Sequence, residues 1–336
     1  MRTINGKTNL TINFVGNFSQ GIVGEISDET HLSREIEDLG HVVRRIPRDE
    51  WREAVLTGKE YPNVPEDLGA DSNIICKCHH FDDREFVNVL RDASNAPVFY
   101  WTWDWMQWPE THEWHLRMSR AADVHLTNEL GDFNLMTEKG VKPYYFPFDV
   151  ADGKFDKPIN DYPTKKFDVV FFGSYVGQGD RIDWLRKIDS KFPVRIYAFN
   201  HEDWIKNGFK DAHPAVYGDE FVIAVSDSKI MLQFSVNDHI YGYWSNRVGK
   251  IMSLGGFLLC RYIPGMELAL SDGVDYFSSV DEALFKIKHY LENGYDRSVI
   301  ARRGYEIGRS RMTSARRVKE LMILVERYIR GGMNEK

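Results

Sequence analysis

The sequence predicts an α/β protein built from two Rossmann-like domains that face a central cleft. Three observations carry this expectation. Short apolar strands alternate with amphipathic helices along the whole chain, which is the pattern of βα units packing into a parallel sheet. The alternation stops over residues 148–165, where Asp, Lys, Gly, Asn and Pro stand without an apolar period, and then resumes. The two halves are of similar size, and 336 residues suffice for each to bury its own core. The expected domains are therefore residues 1–147 and 166–336, joined by a linker over 148–165. The last helix is free to pack back on the first domain. Ligands of such sheets bind beyond the carboxyl ends of the strands and in clefts between domains.

The elements follow in order. Residues 10–16 alternate as a strand and run into a loop over 17–25. Ser27-Asp28-Glu29 then opens a helix with Leu32, Ile36 and Leu39 on one face and Gly40 closing it. Residues 42–46, 74–79, 96–101, 123–127 and 143–146 read as further strands, and 82–91, 111–120 and 130–139 as the helices between them. After the linker, residues 167–172 form an apolar strand that meets a turn at Gly173-Ser174. A helix over 182–188, strands over 194–199, 229–234 and 257–262, and a helical tail from Asp281 complete the second series.

The composition is that of an ordinary globular protein, 43% hydrophobic and 28% charged. A net charge of −7 argues against a surface coated for indiscriminate nucleic-acid binding. Charge is uneven, however: from Arg297 to Arg330 there are ten basic residues against three acidic ones, which leaves a local phosphate- or DNA-facing surface open. The first eight residues lack the apolar stretch of a signal peptide, and no run approaches the roughly 18 apolar residues of a membrane span. Three cysteines do not suggest a disulfide framework, so a cytoplasmic setting is expected. Cys76 and Cys78 are spaced too closely for the usual zinc pair and lie on one strand face, so no metal site is expected. His79 and His80, at that strand's end, suit a ligand-facing loop.

Several segments carry candidate chemistry. Ser245-Asn246-Arg247 opens a short helix that runs to a Gly255-Gly256 pair and a buried strand. A helix start offers free N–H groups and partial positive charge, which suits a phosphate. Arg247 and Lys250 lie three apart beside it. The loop 173–181 brings Gly173 and Ser174 before a helix whose first turn holds Arg181, an unfavourable place for a cation unless an anion meets it. No Asp-x-Asp pair occurs, so a diphosphate here would be neutralised by Arg181, Arg247 and Lys250 rather than by a carboxylate-held metal. In the first half, residues 99–109 carry four of the nine tryptophans. Trp103 and Trp105 flank Asp104 at a sheet edge, where aromatic faces suit sugars or bases and a carboxylate suits a general base. Gly16 and Gly21 have a P-loop's glycine spacing, but Ile22-Val23 replace its Lys and Ser/Thr. Nor does the chain offer the Gly-x-Gly-x-x-Gly of a nicotinamide site here. The loop around Gly21 is then a border of the cleft.

The second half resembles glycosyltransferases of the GT-B fold, in particular the group related to spore-maturation glycosyltransferases. The residues that carry the resemblance run in order: Val169 to Ser174, Tyr217-Gly218, Ser245-Asn246-Arg247 through Gly255-Gly256-Phe257-Leu258-Leu259, Gly265-Met266-Glu267, Asp272 to Phe277, Asp281 to Leu284, and Ala301 to Gly304. The first half is similar more loosely, through residues 27–43, Asp104 and residues 122–127. The resemblance implies transfer of a sugar from a nucleotide-sugar donor, a UDP-sugar, with no other cofactor and without a metal. The donor would lie in the second domain, near Gly173, Ser174, Arg181, Tyr217, Ser245, Asn246, Arg247, Lys250 and Glu267, and the acceptor in the first, near Gly21, Trp103 and Trp105. Asp104 is the expected acceptor-activating base if the enzyme inverts, with His79 as second choice. Lys250 stands where many relatives carry a Glu that holds the donor ribose. The acceptor stays open among glycans, small molecules, proteins and hydroxymethylated pyrimidines of phage-type DNA. The alternatives are a non-catalytic nucleotide-sugar binder and an NAD(P)-dependent oxidoreductase.

Overall fold

The computed structural model describes residues 9–18, 27–48, 69–76, 84–102, 112–128, 130–131, 133–147, 165–176, 180–236 and 238–331. The chain divides into two compact units, Met1–Phe148 with Ser314–Lys336, and Asp149–Thr313. The expected linker lies outside the described residues except for Lys165.

In the first unit, β1 (Thr11–Gly16), β2 (Val42–Pro47), β3 (Ser72–Cys76), β4 (Val98–Thr102), β5 (Val124–Thr127) and β6 (Pro143–Tyr145) form one sheet. The order is β2-β1-β3-β4-β5-β6 and every pairing is parallel. Parallel neighbours need crossovers, and α1 (Asp28–Asp38), α2 (Arg84–Ser94), α3 (His112–Ala121) and α4 (Phe133–Glu138) supply four of them. Helix α1 starts where the sequence places it, because Ser27 Oγ accepts from Thr30 N at 3.1 Å and Asp28 and Glu29 occupy the positive first turn. Helix α4 is shorter than the expected 130–139, and other bounds shift by one to three residues, as frayed ends do.

The central strands are mostly apolar on both faces, and their buried polar groups include the Asn13–Asn73 pair between β1 and β3 and a seam across β4 and β5. Thr102 Oγ1 and His125 Nε2 are 2.8 Å apart, and Tyr100 Oη and His115 Nδ1 are also 2.8 Å apart. His125 is wholly buried. Burial, helped by the neighbouring His115, pushes its pKa down to about 3. The folded state therefore binds the proton far more weakly than the unfolded chain, whose histidines titrate near 6.5. The contribution is complete above pH 6.5 and is lost as pH falls from there toward 3. We expect urea unfolding to show stability falling by up to about 1.4 kcal/mol per pH unit from this group between pH 6 and 4. His125→Gln, which takes up no proton, should flatten that slope; an unchanged slope would contradict the assignment.

In the second unit, β7 (Phe167–Phe172), β8 (Val194–Ala198), β9 (Ala212–Pro214), β10 (Ser228–Gln233), β11 (Leu258–Arg261) and β12 (Asp275–Phe277) form a second all-parallel sheet, in the order β12-β11-β10-β7-β8-β9. The helices are α5 (Arg181–Asp189), α6 (His201–Lys206), α7 (Gly218–Ser226), α8 (Asn246–Ser253), α9 (Glu267–Leu270), α10 (Val280–Glu292) and α11 (Gly294–Arg311). Strand β7 shows how the core is shared. Val169 and Phe171 pack with Leu185, Ile196 and Trp204 on one face, while Val170 and Phe172 pack with Met231, Val248 and Ile251 on the other. The chain moves from β7 out to β9 and then returns to β10 on β7's other side. The strand order thus reverses between β7 and β10, and their connections leave in opposite directions to open a crevice at the carboxyl edge.

Helix α12 (Ser314–Ile329) belongs by its contacts to the first unit. Its Arg317 guanidinium lies 5.1 Å from the Phe146 ring, Tyr328 meets Phe99 edge-on at 5.6 Å, and Ser314 Oγ donates to Glu35 Oε1 at 3.1 Å.

Helix α8, which borders the reversal point, is held from behind by α11. The approach is so close that a Cβ at Gly308 would lie 2.6 Å from the backbone nitrogen of Ser253, the last residue of α8. Backbone cannot yield as a flexible side chain can. Gly308→Ala should cost about 1–3 kcal/mol in urea unfolding by forcing the helices apart, and a neutral result would show that α8 is free to move.

Candidate functional site

The loops that leave the carboxyl ends of β7 and β10, together with the first turns of the helices they lead into, contain six of the nine second-half residues singled out from sequence: Gly173, Ser174, Arg181, Ser245, Asn246 and Arg247. The β7 loop begins at Gly173. A Cβ there would meet the Phe171 ring at 2.5 Å, so the turn has no room for a side chain. The loop is then pinned from below. Trp204 Nε1 donates to Gly173 O at 3.0 Å, and Asn200 holds Tyr175 by both its backbone groups, at 2.8 and 3.0 Å. Ser174 is left exposed between these anchors.

Arg181 is the first residue of α5 and is 4% exposed. Its Nη2 donates to Ser174 O at 2.7 Å, while its Nε is buried without a partner. Burial, and then the charge of Arg247, push its pKa down to about 10. Arg247 is the second residue of α8, whose start is fixed by Ser245 Oγ accepting from Arg247 N at 3.4 Å. Its Nε is also buried and unpartnered, and burial lowers its pKa. No ion pair joins either guanidinium to a carboxylate among the described residues. Two cations thus sit in the first turns of two helices, each against a positive helix end, and each feels the other. Burial, the helix ends and the neighbouring cation all disfavour the arrangement in the free protein, whereas an anion entering here is attracted by both guanidiniums and both helix starts.

The residue before Arg181 explains how the arrangement is held. Asp180 stands at the N-cap of α5 but makes no side-chain cap bond. Both its carboxylate oxygens go instead to Arg261, at the end of β11, one of them at 3.2 Å. Arg261 also pairs with Asp238 of the β10 loop at 2.8 Å, and its guanidinium lies 4.2 Å from the centre of the Trp184 ring. One cation therefore ties the β7 loop, the β10 loop and β11 together. Sequence reading missed Arg261, Asp180 and Asp238. Their only signal was an Arg ending an otherwise apolar strand.

The remaining expected residues fall differently. Ser245 and Asn246 lie with Arg247 at the α8 start. Lys250 lies in the last turn of that helix, where a cation is favoured without any ligand. Tyr217 stands at the N-cap of α7, beyond β9, with an exposed ring. Glu267 opens α9, and its Oε2 accepts from Gly265 N at 2.9 Å, which fixes its own turn. Gly21, His79, Trp103, Asp104 and Trp105 lie outside the described residues, as do Cys78 and His80. Cys76 is fully buried. No helix among the described residues is long and apolar enough to cross a membrane.

Comparison with known proteins bears on the same segment. Residues 181–323 match the family model described as "Glycosyl transferase-like". The two-sheet architecture is the GT-B fold. A variant of T4 phage BGT in complex with UDP-glucose is 12% identical, with 94% of this chain and 99% of that chain covered at a TM-score of 0.63. Anabaena Alr3699/HepE in complex with UDP and glucose is 13% identical over 94% and 99%, at 0.62. An α-glucosyltransferase in complex with UDP and a 13-mer DNA containing an HMU base is 14% identical over 94% and 99%, at 0.68. No curated protein matches the chain by sequence.

The arginine pair makes a specific demand on the free protein. Arg247→Gln removes a repelled, desolvated cation, so apo thermal stability should stay level or rise. A drop of several degrees would show that the guanidinium is instead part of the folded framework.

Proposed function

We propose that the protein is a glycosyltransferase that moves a sugar from a nucleoside-diphosphate sugar, a UDP-sugar, to an acceptor hydroxyl. The observation that carries this reading is the pair of like charges at two helix starts beside the reversal point of a parallel sheet, Arg181 buried and Arg247 half-buried with its Nε enclosed. Glycosidic cleavage leaves negative charge on the departing diphosphate, and preorganised cations and helix N–H groups stabilise that charge as it develops. On this reading the second unit holds the donor and the first the acceptor. Gly173 and Ser174 approach the donor by backbone, Ser245 and Asn246 present the α8 start, and Tyr217 lies on the nucleoside side. Glu267 contacts sugar hydroxyls with the capacity its turn leaves, and Lys250 adds positive charge from one helical turn away. Arg181 and Arg247 supply positive charge that a metal would otherwise bring, which supports the metal-independent reading. Asp104 is the base that activates the acceptor, with His79 second, and Gly21, Trp103 and Trp105 border the acceptor.

Support for the donor class comes from the glycosyl transferase-like match over 181–323 and from the UDP and UDP-glucose complexes of structures with the same fold. The run from Gly265-Met266-Glu267 to Ala301-Arg302-Arg303-Gly304 supports placement near the spore-maturation group. DNA containing a hydroxymethylated pyrimidine is one acceptor to test, favoured by the DNA complex of the α-glucosyltransferase and by the basic run over 297–330.

Two measurements test the reading. UDP at about 100 times its dissociation constant should raise stability by roughly 2.7 kcal/mol, and Arg181→Ala or Arg247→Gln should abolish most of that shift. A response to NAD(P)H and to no nucleoside diphosphate would overturn it. Asp104→Asn should lower turnover by about 10²–10⁴ with UDP affinity kept. Unchanged turnover removes Asp104 from the role, and binding without any UDP release identifies a non-catalytic binder.

A further inference from the structure

Gln233 is the last residue of β10, 3% exposed, and its side-chain nitrogen is buried without a hydrogen-bond partner. A polar residue ending a strand of this kind needs a reason. Leaving a buried amide donor unsatisfied costs about 1–3 kcal/mol, and folded proteins pair the great majority of such groups. The strand's pleat says which way the side chain goes. Ile230, Leu232 and Phe234 belong to the apolar cluster with Leu185 and Trp204, whereas Met231 belongs to the one with Val248 and Ile251 of α8. Gln233 continues the Met231 row, on the α8 face, one step nearer the carboxyl edge. Strand β10 is also one of the two strands that flank the reversal of strand order. The same face at the same edge carries the α8 start with Arg247, whose Nε is likewise buried and unpartnered.

We infer that Gln233 is a donor-contacting residue whose carboxamide N–H groups bind a phosphate oxygen alongside Arg247. This rests on the reading of the site as a nucleoside-diphosphate site. A neutral amide on the same face and edge as a cation adds directed hydrogen bonding without more repulsion in the free protein. An Arg or Lys at the same point would worsen the charge crowding that already lowers Arg181. The ligand groups addressed are the non-bridging oxygens, so Gln233 distinguishes a nucleotide from its nucleoside.

The test uses the full chain, with thermal unfolding and calorimetric titration against UDP and against uridine. Gln233→Met keeps the length and removes the donors. The free variant should melt at or above the wild-type temperature, because an unsatisfied group has been replaced by an apolar one of similar shape. UDP affinity should fall about tenfold or more while uridine affinity stays within twofold. Gln233→Glu, which puts negative charge at the same point, should weaken UDP further than Gln233→Met does. Wild-type UDP affinity in Gln233→Met overturns the inference and leaves the donor reading standing. So does a variant that melts well below wild type, since the amide would then be a structural partner. If wild-type protein binds no nucleoside diphosphate at all, the donor reading fails and this inference fails with it.

Discussion

The candidate site is organised around an unfavourable placement of charge. Arg181 and Arg247 each occupy the first turn of a helix, the end at which a cation is least welcome, and each lowers its neighbour's comfort further. Side chains left to themselves would turn outward. These are kept inward by packing: Arg181 is covered by its own loop and bonded to Ser174 O, and Arg247 rises from an α8 that is wedged between the sheet and α11. Free energy spent in folding is thereby stored as electrostatic readiness for an anion, as sites for developing charge require.

The rest of the second unit reads as the support for that arrangement. An all-parallel sheet sends every strand's carboxyl end to one edge, and the reversal between β7 and β10 separates two loops enough for a ligand to enter. Gly173 lets the first loop turn at once, Trp204 and Asn200 pin it, and Arg261 binds it to the second loop through Asp180 and Asp238. Asp180 is instructive. Its residue type and position suit a helix cap, yet it gives its carboxylate to Arg261 and leaves the N–H groups of α5 uncapped by it. An N-cap is worth about 1 kcal/mol, so the diversion favours the clasp over the helix.

The segment that matches a glycosyl transferase-like model, residues 181–323, starts at Arg181 and contains Arg247, Arg261 and Glu267. Within it Lys250 departs from the acidic residue that the resemblance leads one to expect. The structure gives Lys250 an ordinary setting, a cation in the last turn of an eight-residue helix. On the proposed reading, the charge that meets an anion comes from the two arginines at helix starts, with Lys250 one helical turn away.

The sequence by itself determined the local chemistry. Apolar periodicity placed the strands and helices in both halves, Ser27 and Ser245 marked helix starts, and Gly173 marked a turn, because each depends on neighbours only a few residues away. The misplacement of Arg181 in a first turn was legible for the same reason. What only the tertiary structure decided was which distant residues share one edge. Asp180 and Arg261 are 81 positions apart, and nothing local to either names the other. The reversal of strand order that brings the β7 and β10 loops together is a property of topology. The lone polar end of β10 acquires meaning only once its face and burial are known. Helix α12 belongs to the first unit, though it follows the second in the chain, because Phe99, Phe146 and Glu35 offer it rings and a carboxylate there. Contacts between residues far apart in sequence are fixed by packing, and packing is what a linear reading lacks.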